Sequence, residues 1–218
     1  MALVILPWYR SDSPRHNSEL MMALFHNLQC PGVDRVYLVS EYDPPSLAHS
    51  KLEFIRVDER PSFSSLFGLA ATVPGPFIIV NADCALVDAR AVDRLEPNDA
   101  LWITRWDVRN GAPLSSRYAL SWGADAFAFP AVPDRLPENV GAPGEAYCDR
   151  VIGRALAEAG YRVRNLPWAV PLLHFHAERV RSEDERRPSS GEYTAYSVRP
   201  TDELRSPLWK EPFVERVP

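Results

Sequence analysis

Three groups of residues in this chain have the types and spacing that chemistry needs. Asn81-Ala82-Asp83 directly follows the apolar run Pro76-Phe77-Ile78-Ile79-Val80, which reads as a buried strand, and precedes Asp88, a natural helix start. A carboxylate at the C-terminal end of a central strand, beside a residue as small as Ala82, can reach a divalent cation or a ribose hydroxyl. Asn and Asp are also ordinary turn formers. The second group is Glu145 and Asp149, one turn apart at the start of an expected helix with the apolar stripe Val151, Ile152, Ala155, Leu156 and Ala159. On a wheel at about 100° per residue both carboxylates fall at the edge of that stripe. Carboxylates are stabilised by the unpaired N–H groups of a helix start, and one that faces a cleft can accept a proton from a hydroxyl. The third group is His174-Phe175-His176, where the two-residue strand period sends both imidazoles to one face. Such a pair either completes a metal site with Asp83 or occupies a solvated strand face.

The elements that must position these groups follow from periodicity. Strand-like runs at 2–6, 34–40, 52–57, 76–80 and 100–105 alternate with helix candidates at 17–30, 63–73 and 88–95. In the first helix, Leu20, Met21, Leu24 and Leu28 keep helical spacing and Pro31-Gly32 is the stop. This alternation predicts an α/β fold with a largely parallel sheet covered on both faces. After Trp106 the pattern changes. Asn110 to Ser116 reads as a polar loop, 124–130 as a hairpin or edge strand, and Glu145 to Ala159 as a helix closed by Gly160. Strands are expected at 161–164 and 172–176. The expected organisation is one domain over 1–180, in halves of about 1–107 and 108–180. Residues 181–218 are expected to form a mobile loop and a C-terminal tail, whose Trp209 and Phe213 pack onto the domain or a partner.

A net charge of -5 without any Lys/Arg block excludes a nucleic-acid or polybasic membrane surface. Cys30, Cys84 and Cys148 lack the paired spacing of a zinc or redox motif and are expected as reduced thiols. The apolar N-terminus breaks at Pro7, too soon for a secretory or transmembrane segment, so the expected location is cytoplasmic. No Gly-x-Ser-x-Gly elbow suggests a hydrolase. The loop after strand one, Pro7 to Arg15, contains no glycine, against a glycine-rich phosphate turn. Its Tyr9 can stack on a base and Arg10 or Arg15 can pair with phosphate; a solvated surface loop accounts for them equally.

In chain order there follow Ile103-Thr104-Arg105-Trp106-Asp107, Ser121-Trp122-Gly123-Ala124-Asp125-Ala126-Phe127 and Gly141-Ala142-Pro143-Gly144-Glu145-Ala146-Tyr147-Cys148-Asp149. A helix, Gly160 to Asn165 and His174-Phe175-His176 complete the succession. This order resembles the GT-A glycosyltransferases, over roughly residues 2 to 180 and most specifically from Phe77 to His176. The resemblance implies a GT-A-like, Rossmann-like fold with a nucleotide-binding first half and a smaller mixed acceptor-side half. It places Asn81-Ala82-Asp83 at the Asp-x-Asp motif that binds metal and diphosphate, with Asn81 where the first carboxylate stands. It implies Mn²⁺ or Mg²⁺ on Asp83 with His174 or His176, and Asp149 as base with Glu145 beside it. Nucleotide-sugar contacts fall to Tyr9, Arg10, Arg15, Asn81, Asp83, Arg105 and Asp125. The implied activity is transfer of a sugar, with inversion, from a nucleotide diphosphate to the hydroxyl of a glycan or other acceptor, in surface-glycan biosynthesis and with a homodimer as a possible assembly. The alternatives are a catalytically silent GT-A-like domain that binds a glycan or partner enzyme, and a nucleotidyltransferase on a similar sheet.

Overall fold

Strand β1 (Ala2–Pro7) is buried along its whole length, and its two-residue period builds two cores. Ala2, Val4 and Leu6 face helix α1 (Pro14–Gln29) through Leu20, Leu24 and Leu28. Leu3 and Ile5 face the other way, toward helix α2 (Phe63–Ala70) through Phe63, Leu66 and Phe67. The structure, a computed structural model, describes residues 1–109, 112–114, 123–133, 141–143, 145, 148–175 and 198–201. His176, Trp122, Trp209, Phe213 and most of the segment from 181 onward lie outside them.

The remaining elements are β2 (Val33–Ser40), β3 (Leu52–Arg56), β4 (Phe77–Val80), β5 (Cys84–Leu86), a 3-10 turn (Arg90–Arg94), β6 (Asp99–Ile103), β7 (Arg105–Arg109), β8 (Ala112–Leu114), β9 (Ala126–Phe129), α3 (Cys148–Glu158), β10 (Arg162–Arg164) and β11 (Leu172–His174). Seven strands form the main sheet in the order β10-β6-β9-β4-β1-β2-β3. All its pairings are parallel except those of β9, which lies antiparallel between β4 and β6. The residues expected as a hairpin or edge strand therefore form an interior strand, and its apolar Ala-Phe-Ala-Phe composition suits a position covered on both faces.

A second sheet, β5-β11-β7-β8, is fed twice by the first. The chain leaves β4 through Asn81-Ala82-Asp83 into β5, and leaves β6 through Thr104 into β7. The run 100–105, which reads as one strand, is thus divided at Thr104. That residue is fully buried, and its hydroxyl lies 3.2 Å from Asn165 Oδ1. Ala112–Leu114, expected within a loop, pairs with β7. Helix α1 starts three residues earlier than the apolar pattern suggests. Ser13 caps it by accepting from His16 N–H, and Pro14 takes the first turn, where its missing N–H costs nothing. Helix α3 starts later, at Cys148, which leaves Glu145 in the preceding turn. Gly160 closes α3 with a left-handed φ of 92°.

Asn27 ties α1 to the second sheet. Fully buried, it donates from Nδ2 to the Cys84 carbonyl (2.8 Å) and accepts at Oδ1 from Leu86 N–H (2.8 Å). Asn27→Ala strips both backbone groups of their partner, each at about 1–3 kcal/mol when buried. The expected loss in denaturant unfolding is about 2–4 kcal/mol; a loss under about 0.5 kcal/mol would show that α1 does not hold β5.

Candidate active site

The strand period and the sheet switch bring charged side chains to the seam between the sheets. In β11 and β7, parallel neighbours, His174 and Asp107 are direct partners. His174 Nδ1 lies 2.8 Å from Asp107 Oδ1, and its Nε2 lies 3.2 Å from Asp83 Oδ2. Arg105, two residues before Asp107 and hence on the same strand face, donates from Nε to Asp107 Oδ1 (3.1 Å) and from a terminal nitrogen to Asp125 Oδ2 (2.8 Å). Asn81 Nδ2 donates to the other oxygen of Asp125 (2.8 Å). The result is a continuous chain Asp83, His174, Asp107, Arg105, Asp125, Asn81, in which carboxylates alternate with cations and end on an amide.

The position of Asn81 explains the missing carboxylate. An Asp there would face Asp125 across a hydrogen-bond distance with no proton to share, whereas the amide donates. Backbone bonds pin both turns: Asn81 N–H donates to the Asp125 carbonyl (2.8 Å), and Phe175 N–H to the Asp83 carbonyl (2.9 Å).

Burial raises the cost of a charged Asp83, but the hydrogen bond and charge of His174, with Arg105 and His16 further off, outweigh it and hold the carboxyl at about 2. For His174, burial opposes the charged form. The hydrogen bonds to Asp107 and Asp83 and the Asp83 charge prevail, raising it to about 9. Asp107, half exposed and only partly desolvated, is likewise held low by His174 and Arg105. Arg105 is pushed up, chiefly by the Asp125 charge.

Asp149, in the first turn of α3, turns toward this group. Its Oδ2 accepts from Ala124 N–H (3.1 Å), the residue before Asp125, and Gly123 leaves room for it, since a Cβ there would lie 3.3 Å from that oxygen. Trp102 Nε1 donates to the Asp149 carbonyl (3.1 Å) and fastens the helix start to β6. Burial, then the Asp125 charge, raise the Asp149 carboxyl against the bonds from Ala124 and Arg150 N–H. Glu145 is not brought to this group: it is exposed, and its carboxylate accepts from Ala142 N–H (3.0 Å) in its own turn.

On the other flank, Tyr9 OH meets His16 Nε2 at 2.6 Å, and His16 Nδ1 meets Glu19 Oε2 at 3.0 Å, with His16 and Glu19 buried in α1. Arg15 lies 4.0 Å from Glu19, and Arg10 is exposed. Three residues escape the sequence reading. Asp107 was hidden because its partner is set by strand register, His16 because the helix start reads late. Cys84 carries no paired cysteine to mark it in the sequence, yet Asp83, Cys84 and His174 offer ligand atoms within 4.8 Å of one another.

No family model matches the chain, and no curated protein matches it. Among solved structures, a crystal structure of S. aureus TarS residues 1–349 in complex with UDP-GlcNAc is similar, with a TM-score of 0.50 and 11% identity over 82% of this chain. A mannosyltransferase from Pyrobaculum calidifontis, PcManGT, in complex with GDP-Man and Mn²⁺, gives a TM-score of 0.49 and 14% identity over 83% of this chain. The matches cover 60% and 57% of those two chains, so this chain spans less than two thirds of either. At these identities the likeness to TarS establishes the fold: the chain has a GT-A-like α/β architecture. No helix among the described residues is long and apolar enough to cross a membrane.

The paired shifts set a pH window for stability. Asp83 lies below its ordinary 3.8, so its contribution is present above that value and lost as pH falls toward about 2. His174 lies above its ordinary 6.5, so its contribution is full below that value and lost as pH rises through about 9. In chelator, the stability difference between wild type and His174→Gln should therefore peak between about pH 4 and 6.5. A difference that does not change with pH would contradict a charged Asp83–His174 pair.

Proposed function

We propose that the chain is a glycosyltransferase that moves a hexosyl group from a nucleotide diphosphate to a hydroxyl acceptor, with inversion, in the assembly of a surface glycan. The observation that carries this reading is the strand-end group Asp83, His174, Arg105 and Asp125, with the carboxylate of Asp149 turned toward it, on a GT-A-like fold. The similar TarS structure is a complex with UDP-GlcNAc, which favours a nucleotide sugar as donor here. The crevice outside the carboxyl ends of β1 and β4 is where open α/β sheets bind nucleotides.

The residues divide the work by their surroundings. Tyr9, held at its hydroxyl by His16, offers a ring for the base, with Arg10 and Arg15 on the same loop for phosphate oxygens. Arg105 is a cation already fixed by the carboxylates of Asp107 and Asp125, so it offsets charge building on the leaving diphosphate without reorganising. The ligand atoms of Asp83 and His174 are close enough to hold a divalent cation, with His176 a further candidate by sequence; when bound, it would neutralise diphosphate charge. Asp149 takes the acceptor's proton as the hydroxyl oxygen attacks the anomeric carbon and the diphosphate leaves. Its raised carboxyl suits that role, because a base closer to neutral pH accepts a proton more readily. The silent-domain alternative draws on Asn81, which spends its amide on Asp125.

Asp149→Asn separates the two. Turnover of nucleotide sugar should fall by about 10²–10⁴ with donor affinity retained. Because folding disfavours the charged Asp149, the neutral variant should melt at or above the wild-type temperature near pH 7. Full activity would remove Asp149 from the chemistry, and a lowered melting temperature with activity intact would make it a structural cap.

A further inference from the structure

Cys84 occupies the first position of β5 and is wholly buried, yet its sulfur is directed at the Asp83 carboxylate. The Sγ to Oδ1 distance is 3.5 Å, while the other oxygen of Asp83 meets His174 Nε2 at 3.2 Å. One atom from each of the three residues lies within 4.8 Å of both others. A tetrahedral ion with bonds of about 2.0 Å to N and O and about 2.3 Å to S separates its donors by about 3.3 Å for an N–O pair and about 3.5 Å for an O–S pair. The Asp83 carboxylate thus turns one oxygen toward the thiol and the other toward the imidazole, and the three donors are close enough to converge on one cation.

We infer that Asp83, Cys84 and His174 form a thiolate-containing site for a borderline-soft divalent cation, Zn²⁺ or Co²⁺, rather than a site for Mg²⁺ alone. Mg²⁺ prefers oxygen donors and keeps several waters, whereas the sulfur and nitrogen that flank the one carboxylate here suit a softer cation. A thiolate and a carboxylate together balance the charge of a dication, and the imidazole completes a three-ligand set that leaves a fourth position open. On binding, the thiol proton and any proton on His174 pass to solvent. Neighbouring structure holds the sulfur in place, since the Cys84 carbonyl accepts from Asn27 and its N–H donates to the Asn81 carbonyl (3.0 Å). The inference deepens the proposed reading by naming the metal class, but cation binding can be measured without sugar transfer.

The test uses the full, untagged chain, freed of metal with chelator and titrated with Co²⁺. A thiolate bound to Co²⁺ gives a near-ultraviolet charge-transfer band, and four-coordinate Co²⁺ gives intense visible bands. Both should appear at one equivalent and vanish on addition of Zn²⁺ but not of Mg²⁺. The double variant Cys30→Ser with Cys148→Ser keeps Cys84 as the sole cysteine and should retain the bands, so the assignment does not depend on Cys84→Ser folding. Cys84→Ser should lose the charge-transfer band and weaken Zn²⁺ binding by at least about 10-fold, the lower end of what even outer-shell changes cost at such sites. A pale six-coordinate spectrum in the wild type, loss of the bands in the double variant, or their survival in folded Cys84→Ser would each overturn the inference. Zinc binding through Cys84 without turnover of any nucleotide sugar would leave it standing and remove the glycosyltransferase reading. Turnover supported by Mn²⁺ with no thiolate band would do the reverse.

Discussion

Charged groups can crowd into a half-buried seam only if each one meets its opposite, and the organisation of this protein follows from that requirement. Desolvation alone would leave Asp83 neutral. It is instead one end of a row in which His174 and Arg105 sit between Asp83, Asp107 and Asp125. Removing any cation strands a carboxylate, so the row is set as a unit. Such a row is also preorganised: its dipoles and charges are oriented before a ligand arrives.

The sheets are arranged to make the row possible. Two strands of the main sheet run into the second sheet at neighbouring points, Asn81–Asp83 and Thr104, and β11 lies between β5 and β7 to present His174 to both. Hydrogen bonds of buried polar side chains hold the junctions: Asn27 donates to and accepts from β5, and the Thr104 hydroxyl donates to Asn165. These polar groups lie inside an otherwise apolar core, where an unmet partner is expensive. They therefore fix the relation of the two sheets more specifically than apolar packing does.

Much of this was legible from residue type and spacing. The apolar strand before Asn81-Ala82-Asp83, the parallel alternation and the helix ahead of Gly160 are local patterns, and local patterns survive into the fold. The interior place of β9 was not legible, because a short Ala-Phe alternation fits an edge or a centre equally well until its neighbours are known. Asp107 and Cys84 enter the site through register and through a strand switch, which single-sequence periodicity does not encode. Asn81 looks like a defect in a metal motif until Asp125 is seen across from it, and then it is the residue that charge balance demands. Glu145 shows the converse failure: the wheel argument assumed a helix that begins one turn later in the structure.

The central claim is that this seam receives a nucleoside diphosphate, and the most direct measurement is the melting temperature with a panel of nucleoside diphosphates and divalent cations, on wild type and Asp83→Asn. A ligand at 100 times its dissociation constant adds about 2.7 kcal/mol, roughly 5–10 °C for a chain of this size. The account predicts such a shift with at least one nucleotide in the wild type and its loss in Asp83→Asn. No shift with any nucleotide, or an equal shift in folded Asp83→Asn, would contradict it.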